Sequence, residues 1–173
     1  ETVQAARLKS IHVSTDVQDR EGLIRVQAEV DGFAERAEIT ISLKGREVFR
    51  HHISFPRRHN PQLDATIRLE APALWYPNGQ GDQPLYEVRV ALNDLDDPWV
   101  GLAGIRSLRF RRCDGASNTA FPYQPVINGQ PVYIRGINMT PLDHRYGDVT
   151  PEDYRTMMLK MKHMNVNAVR VHG

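Results

Sequence analysis

Ile24-Arg25-Val26-Gln27-Ala28-Glu29-Val30-Asp31 alternates apolar and polar side chains without interruption. A period of two places one set of side chains against a core and the other set in water, as in a half-buried β-strand. Runs of the same kind lie on both sides of this stretch. Clear runs occur at residues 39–43, 63–69 and 86–92, and weaker ones at residues 11–13, 48–53 and 105–110.

Turn-forming pairs separate these seven runs, among them Asp31-Gly32, Lys44-Gly45 and Asn60-Pro61. Short strands joined by such turns suit two packed antiparallel sheets better than strands alternating with helices. The sequence therefore predicts a mainly β chain whose residues 1–112 form an immunoglobulin-like β-sandwich. The single cysteine, Cys113, excludes an intrachain disulfide, so the core of the sandwich has to rest on apolar packing.

The pattern changes after residue 112. Residues 113–123 are predicted to be a linker, because they begin with a small and polar stretch. Asn128-Gly129, flanked by apolar residues on both sides, predicts a β-hairpin because this pair accepts the positive φ angles of a tight turn. A strand is then expected over residues 132–137.

Thr150-Pro151-Glu152-Asp153 has the features of a helix start, with an N-cap, a proline at the first position and acids near the positive end of the dipole. The helix is predicted to reach about Asn165, with an apolar stripe at positions 154, 157, 158, 161 and 164. Core packing of this stripe is favoured over a methionine-rich binding surface. Residues 166–171 predict another strand. Strand, helix and strand form a right-handed βαβ unit, and residues 124–173 are expected to be the first part of a (β/α)8 barrel.

The active site of a (β/α)8 barrel is built at the carboxyl ends of its strands. Two segments here follow such strands, residues 138–143 and residues 170–173. Arg170 could orient a carboxylate nucleophile or bind a sugar hydroxyl, and His172 and Asn138 could also bind hydroxyl groups. The alternatives stay open: Arg170 and His172 as residues that only end a strand, and Asn138 and Asp143 as a turn-forming pair around Pro141.

Composition excludes several other classes of function. Twenty-two basic against twenty-one acidic residues give a formal charge of +1, which offers no general attraction to nucleic acid or to an anionic membrane. His51 and His52 are adjacent on a predicted strand, so they point to opposite faces and cannot share a metal ion. We expect no metal, no cofactor and no membrane partner, and the sequence does not identify a cellular location.

Four segments, in this order and at this spacing, resemble glycoside hydrolase family 2, which includes β-mannosidases, β-galactosidases, β-glucuronidases and exo-glucosaminidases. The resemblance covers most of the chain. The segments are Leu74-Trp75-Tyr76-Pro77-Asn78-Gly79-Gln80-Gly81-Asp82-Gln83-Pro84-Leu85-Tyr86, Gly104-Ile105-Arg106, Ile127-Asn128-Gly129-Gln130-Pro131-Val132-Tyr133-Ile134-Arg135-Gly136-Ile137-Asn138 and Asn165-Val166-Asn167-Ala168-Val169-Arg170.

The loop after Trp75 and the segment Asn138-Met139-Thr140-Pro141-Leu142-Asp143 are most similar to the β-mannosidase branch of this family. Met139 stands where that branch usually has tryptophan, and His172 also replaces a common tryptophan. The resemblance implies an exo-acting, retaining β-glycosidase in carbohydrate metabolism, with a β-linked saccharide as substrate and the sandwich as an accessory domain. Arg170, His172, Asn138 and Asp143 are the implied substrate-binding residues.

A retaining mechanism uses two carboxyl groups about 5 Å apart, one as acid/base and one as nucleophile. In the family both are glutamates from later barrel strands, so we expect them downstream of Gly173 and expect no catalytic residue in this segment, which alone should be inactive. Two alternatives remain. The chain could be a non-catalytic immunoglobulin-like module that binds carbohydrate or protein, or a segment that forms a homodimer through its last strand.

Overall fold

The computed structural model describes residues 6–56, 59–93 and 97–171, and the chain separates into two compact units. Unit 1 comprises Glu1–Trp75 and Pro84–Ser107, and unit 2 comprises Tyr76–Gln83 and Leu108–Gly173. The short segment Tyr76–Gln83 therefore belongs to a different unit from the residues on either side of it.

Unit 1 is a β-sandwich of two antiparallel sheets. One sheet has the strand order β1-β2-β5 and the other β4-β3-β6-β7, so the chain crosses between the sheets after β2, β4 and β5, as in immunoglobulin-like folds. The strands are β1 Arg7–Gln18, β2 Glu21–Asp31, β3 Arg36–Leu43, β4 Arg46–Ser54, β5 Gln62–Leu69, β6 Tyr86–Leu92 and β7 Trp99–Ala103. The prediction of an immunoglobulin-like sandwich is confirmed.

The core of unit 1 is made by the alternating apolar residues that the sequence pattern identified. Ile24 and Val26 of β2, Ile39 and Ile41 of β3, and Val90 of β6 are all fully buried. They belong to one continuous cluster to which both sheets contribute. Apolar packing between the sheets therefore stabilises unit 1, and its polar side chains lie on the outer faces.

The last strand of the sandwich differs from the prediction. Strand β7 is Trp99–Ala103, whereas the predicted run at residues 105–110 contributes buried Ile105 outside any strand. Of that run only residues 108–110 lie in a strand, as part of β8 Leu108–Arg111, which pairs within unit 2. β7 escaped detection because its outward residues, Val100 and Leu102, are apolar and exposed, so the strand has no alternation of polarity.

Trp75 is packed as a structural side chain of unit 1. Gly104 lies against its indole, where an added Cβ would come within 2.8 Å of the ring, and the guanidinium of Arg106 lies 4.5 Å from the ring centroid. A cation over the face of tryptophan is a favourable contact. These contacts pack the half-buried indole within unit 1.

Unit 2 begins with a small antiparallel sheet of strand order β10-β9-β8, formed by β9 Gln124–Ile127, β10 Gln130–Pro131 and β8. Asn128 and Gly129 connect β9 to β10 with φ angles of 50° and 79°, the left-handed values that a two-residue hairpin turn requires. The predicted hairpin is confirmed. Its second strand is short, because residues 132–135 continue outside any strand.

A βαβ unit follows, with β11 Gly136–Met139, a 3-10 turn at Tyr146–Asp148, helix α1 Pro151–His163 and β12 Ala168–Val171. Strands β11 and β12 pair in parallel. The first strand starts four residues later than the predicted residue 132, so Asn138 lies inside the strand rather than after it. The fold is therefore a sandwich, a hairpin and the first βαβ unit of a barrel, as the sequence indicated.

Candidate active-site edge

Asn138 and Arg170 are neighbours at the carboxyl ends of two parallel strands. Asn138 of β11 is the register partner of Arg170 of β12, and each is the penultimate residue of its strand. Register partners in a sheet project their side chains from the same face. The backbone therefore places these two residues side by side at one edge of the sheet, as the sequence predicted.

Both side chains are available for binding. Asn138 and Arg170 are exposed, and within the described residues neither side chain makes a hydrogen bond or an ion pair. An amide that can donate and accept, beside a fixed cation with five N–H donors, suits hydroxyl groups and carboxylates. The edge thus carries the chemistry needed to hold a polyhydroxylated ligand or to orient a carboxylate.

Asp143 lies in the loop that follows β11, where its carboxylate accepts the backbone N–H of Arg145 at 2.8 Å. This contact is the turn-forming role that was an alternative to ligand binding for Asp143. The same carboxylate lies on a cavity of about 370 Å³ that Arg145, Asp148 and Lys160 also line. Asp143 therefore holds its loop and still faces open space. Asn138, in a strand, is not part of a turn around Pro141.

His172, the remaining predicted site residue, lies outside the described residues. Gly173, which follows it, does so as well. Three of the four predicted site residues can therefore be placed, and of these the register joins Asn138 to Arg170 directly.

Helix α1 starts as the sequence predicted, with Thr150 as its N-cap and Pro151 in the first turn. The Thr150 hydroxyl accepts the N–H of Asp153 at 3.3 Å, and the Asp153 carboxylate accepts the N–H of Thr150 at 2.9 Å. This reciprocal capping box satisfies two backbone donors that the first turn leaves free. Hydrogen bonds from Thr150 lower the pKa of the Asp153 carboxyl below its ordinary value.

The capping box gives a pH-dependent prediction for α1. Because the pKa of Asp153 is depressed in the folded state, its stabilisation is present above the ordinary carboxyl pKa of 3.8 and is lost as pH falls through the folded-state value. We expect the protection of α1 amides, measured as the ratio of the intrinsic to the observed exchange rate at each pH, to fall over this acidic window. Asp153→Asn should remove most of that pH dependence, whereas Glu152→Gln should keep it. An identical acid profile in Asp153→Asn would contradict the assignment.

The apolar stripe of α1 is only partly buried. Met161 is 5% exposed, whereas Tyr154, Met158 and Met164 are 44%, 38% and 65% exposed. The predicted core packing is thus found for Met161 and not for these three residues within the described chain.

Three polar residues near the edge were not predicted from sequence, namely Asn78, Arg135 and Asn167. The side chains of Asn78 and Arg135 donate to backbone carbonyls around the turn between α1 and β12, whereas the side chain of Asn167 bonds to the backbone of Tyr133 and Arg135 before β11. The only local signal for Asn167 was that asparagine favours turns and is uncommon in strands, although it stands in the strand predicted over residues 166–171. Asn78 and Arg135 had none, since they lie 88 and 31 positions before Val166 in sequence.

Two structural features are absent from the described residues. Residues 6–56, 59–93 and 97–171 contain no group of three or more histidine, cysteine, aspartate or glutamate residues that could hold a metal ion. Across the same residues, no helix has the length and apolar character needed to cross a membrane.

The family profile and the relatives given below all relate this chain to glycoside hydrolases. The family profile "Glycosyl hydrolases family 2" matches residues 6–100. Beta-mannosidase B of Neosartorya fischeri is 30% identical over 84% of this chain and 18% of its own length. Beta-mannosidase B of Aspergillus fumigatus is 29% identical over 94% of this chain and 19% of its own length. The chain thus spans about a fifth of the length of these relatives.

Solved structures agree with the observed fold. The β-D-mannosidase of Dictyoglomus thermophilum is 25% identical with a TM-score of 0.78, over 97% of this chain and 21% of its own chain. A β-glucuronidase of Parabacteroides merdae, at 19% identity and a TM-score of 0.70, covers 96% of this chain and 21% of its own, and supports the fold alone. This chain belongs to glycosyl hydrolases family 2 and falls in its β-mannosidase branch.

Proposed function

We propose that this chain is part of a retaining, exo-acting β-glycosidase that removes β-linked mannose from saccharides. Residues 1–112 would be an accessory sandwich, residues 113–123 a linker, and residues 124–173 the beginning of the catalytic barrel. The observation that carries this proposal is the parallel register of Asn138 with Arg170 at the carboxyl ends of β11 and β12. In barrels of this kind the substrate lies at that end.

Arg170 is the residue to which we assign the largest role. Its permanently charged guanidinium can bind a sugar hydroxyl or hold a carboxylate nucleophile in place through two parallel N–H bonds. Asn138 beside it supplies both a donor and an acceptor, which matches the mixed character of sugar hydroxyls. Asp143 and His172 complete the proposed substrate-binding set, with Asp143 supported by its position on the cavity of the β11–α1 loop.

We place the acid/base and nucleophile glutamates outside residues 1–173. Glu152 is unsuited to either role, because it is an exposed residue in the first turn of α1 and lies 3.9 Å from Arg155 in a surface ion pair. A retaining reaction needs two carboxyl groups about 5 Å apart across the scissile bond. The contribution of this chain would be to bind and orient the saccharide while later strands perform bond cleavage.

The proposal is tested by assaying the protein that contains this chain with nitrophenyl β-mannoside, β-galactoside, β-glucuronide and β-glucosaminide. We expect the highest kcat/KM for the β-mannoside and a first product with the β configuration, observed by NMR before it mutarotates. Residues 1–173 alone should show no turnover. Preference for another sugar would overturn the mannoside assignment, and turnover by residues 1–173 would overturn the location of the glutamates.

A further inference from the structure

The position of Arg170 depends on the α1–β12 turn, which comprises residues 164–167. Strand β12 begins at Ala168, one residue after this turn, and Arg170 follows two residues later. Because side chains alternate along a strand, a slip of one residue in the pairing would move Arg170 to the opposite face. The position of Arg170 beside Asn138 is therefore set by whatever fixes this turn.

The helix end supplies the first constraint. Asn165 has a φ of 58°, and its N–H donates to the carbonyl of Lys162 at 3.1 Å. The N–H of Val166 donates to the carbonyl of Met161 at 3.0 Å. These two bonds around a left-handed residue form a Schellman motif, which ends α1 at a defined position.

Asn167 supplies the second constraint, because it is bonded to the chain that precedes β11. Its side-chain Oδ1 accepts the backbone N–H of Arg135 at 2.8 Å, and its Nδ2 donates to the carbonyl of Tyr133 at 2.9 Å. Its backbone N–H donates to the carbonyl of Arg135 at 3.0 Å. These bonds fix the register one residue before the strand pair begins.

Asn78 supplies the third constraint, because its side chain bonds to one carbonyl of α1 and to one of the turn. Its Nδ2 donates to the carbonyls of Lys162, at 2.9 Å, and of Val166, at 3.2 Å. A side-chain amide has two hydrogens, so one group can hold both carbonyls. Asn78 itself sits at the second position of a turn closed by the bond from Gln80 N–H to Pro77 carbonyl, with Gly79 at a φ of 83°.

Arg135 joins Asn78 to the same turn. Its Nε donates to the carbonyl of Asn165 at 2.7 Å, and its Nη2 lies 3.4 Å from the carbonyl of Asn78. An added Cβ at Gly79 would lie 3.1 Å from that Nη2, so the loop approaches the guanidinium closely. The carbonyls of Lys162, Asn165 and Val166 are thus all held by these two side chains.

We propose that Asn78 and Arg135 are positioning residues for substrate binding, which act by holding the α1–β12 turn so that Arg170 emerges beside Asn138. This proposal rests on the proposed function of Arg170. It gives a role to the Asn-Gly turn at residues 78 and 79, which lies far from the edge in sequence. Neither positioning residue touches the saccharide in this account.

The test uses a double-mutant cycle in the glycosidase that contains this chain. Asn78→Ala is expected to lower kcat/KM for the β-mannoside by about 10-fold, since a displacement of about 1 Å can cost as much as about 100-fold. In an Arg170→Ala background the same change should cost less than about twofold, because its effect passes through Arg170. Asn78→Asp keeps the shape but lacks the N–H donors at neutral pH, so it should not restore activity. Gln83→Ala, an exposed amide of the same segment, is the matched control with unchanged activity.

Hydrogen exchange in the same proteins separates this proposal from the proposed function. We expect amides of residues 166–171 to exchange about fivefold faster in Asn78→Ala, whereas Gln83→Ala leaves them unchanged. Unchanged exchange in Asn78→Ala would overturn the positioning role whatever the activity. Equal losses of activity in both Arg170 backgrounds, or recovery with Asn78→Asp, would overturn it as well. A third outcome is faster exchange in Asn78→Ala together with full activity in Arg170→Ala. It would overturn the substrate-binding role of Arg170, and with it the proposal that Asn78 and Arg135 position Arg170 for the substrate.

Discussion

Arg170→Ala in the glycosidase that contains this chain is expected to lower kcat/KM for an aryl β-mannoside by about 100-fold. The estimate corresponds to about 2.7 kcal/mol, within the range for losing hydrogen bonds to a charged group. Residues 1–173 with the same substitution should keep their melting temperature, because within the described residues Arg170 is exposed and makes no hydrogen bond or ion pair. Steady-state kinetics of the glycosidase and a melting curve of residues 1–173 measure the two quantities.

Arg155→Ala is the matched control for this prediction. Arg155 is an exposed arginine of α1 that forms a surface ion pair with Glu152 at 3.9 Å, and such pairs contribute little. It should leave kcat/KM unchanged. Arg170→Lys should recover part of the activity, since it retains the charge but loses the planar fork. Wild-type kinetics in Arg170→Ala would remove Arg170 from the substrate site.

Ile41→Ala is expected to lower the free energy of unfolding of unit 1 by about 3 kcal/mol. Ile41 lies in β3, is fully buried, and belongs to the cluster that both sheets share. Truncating a buried isoleucine removes apolar contacts and leaves a cavity that the two sheets fill only in part. Urea denaturation followed by tryptophan fluorescence reports on this unit, because both tryptophans, Trp75 and Trp99, belong to it.

Val48→Ala provides the comparison for the core substitution. Val48 lies on β4 and is 44% exposed, so its truncation should cost less than about 1 kcal/mol. Equal losses at positions 41 and 48 would mean that the packing between the two sheets does not dominate the stability of unit 1.

The sandwich was largely predictable because its central strands keep a strict alternation. Ile24, Val26 and Val30 are buried and their polar neighbours Arg25 and Glu29 are exposed, so periodicity alone identifies β2. Strand β7 could not be found in this way, because both of its faces carry apolar or small residues. Strand boundaries were also predicted wrongly where a buried apolar residue lies next to a strand and not within it, as Ile105 does.

The candidate site was predictable in its residue types and only partly in its geometry. A strand, a capped helix and a second strand imply a parallel pair, and this places Asn138 and Arg170 at the same end. The register that makes them direct partners could not be derived, because it depends on bonds from Asn78 and Arg135 to a turn far along the chain. Local patterns contain no information about such long-range side-chain contacts.

A crystal structure of the glycosidase that contains this chain, in complex with a mannose-configured inhibitor, would test the central claim most directly. We predict that the inhibitor lies at the carboxyl ends of β11 and β12. Asn138 and Arg170 should line the same cleft, with the guanidinium hydrogen-bonded to the sugar or to the carboxylate that attacks it. An inhibitor bound in a cleft that neither residue lines would contradict the account.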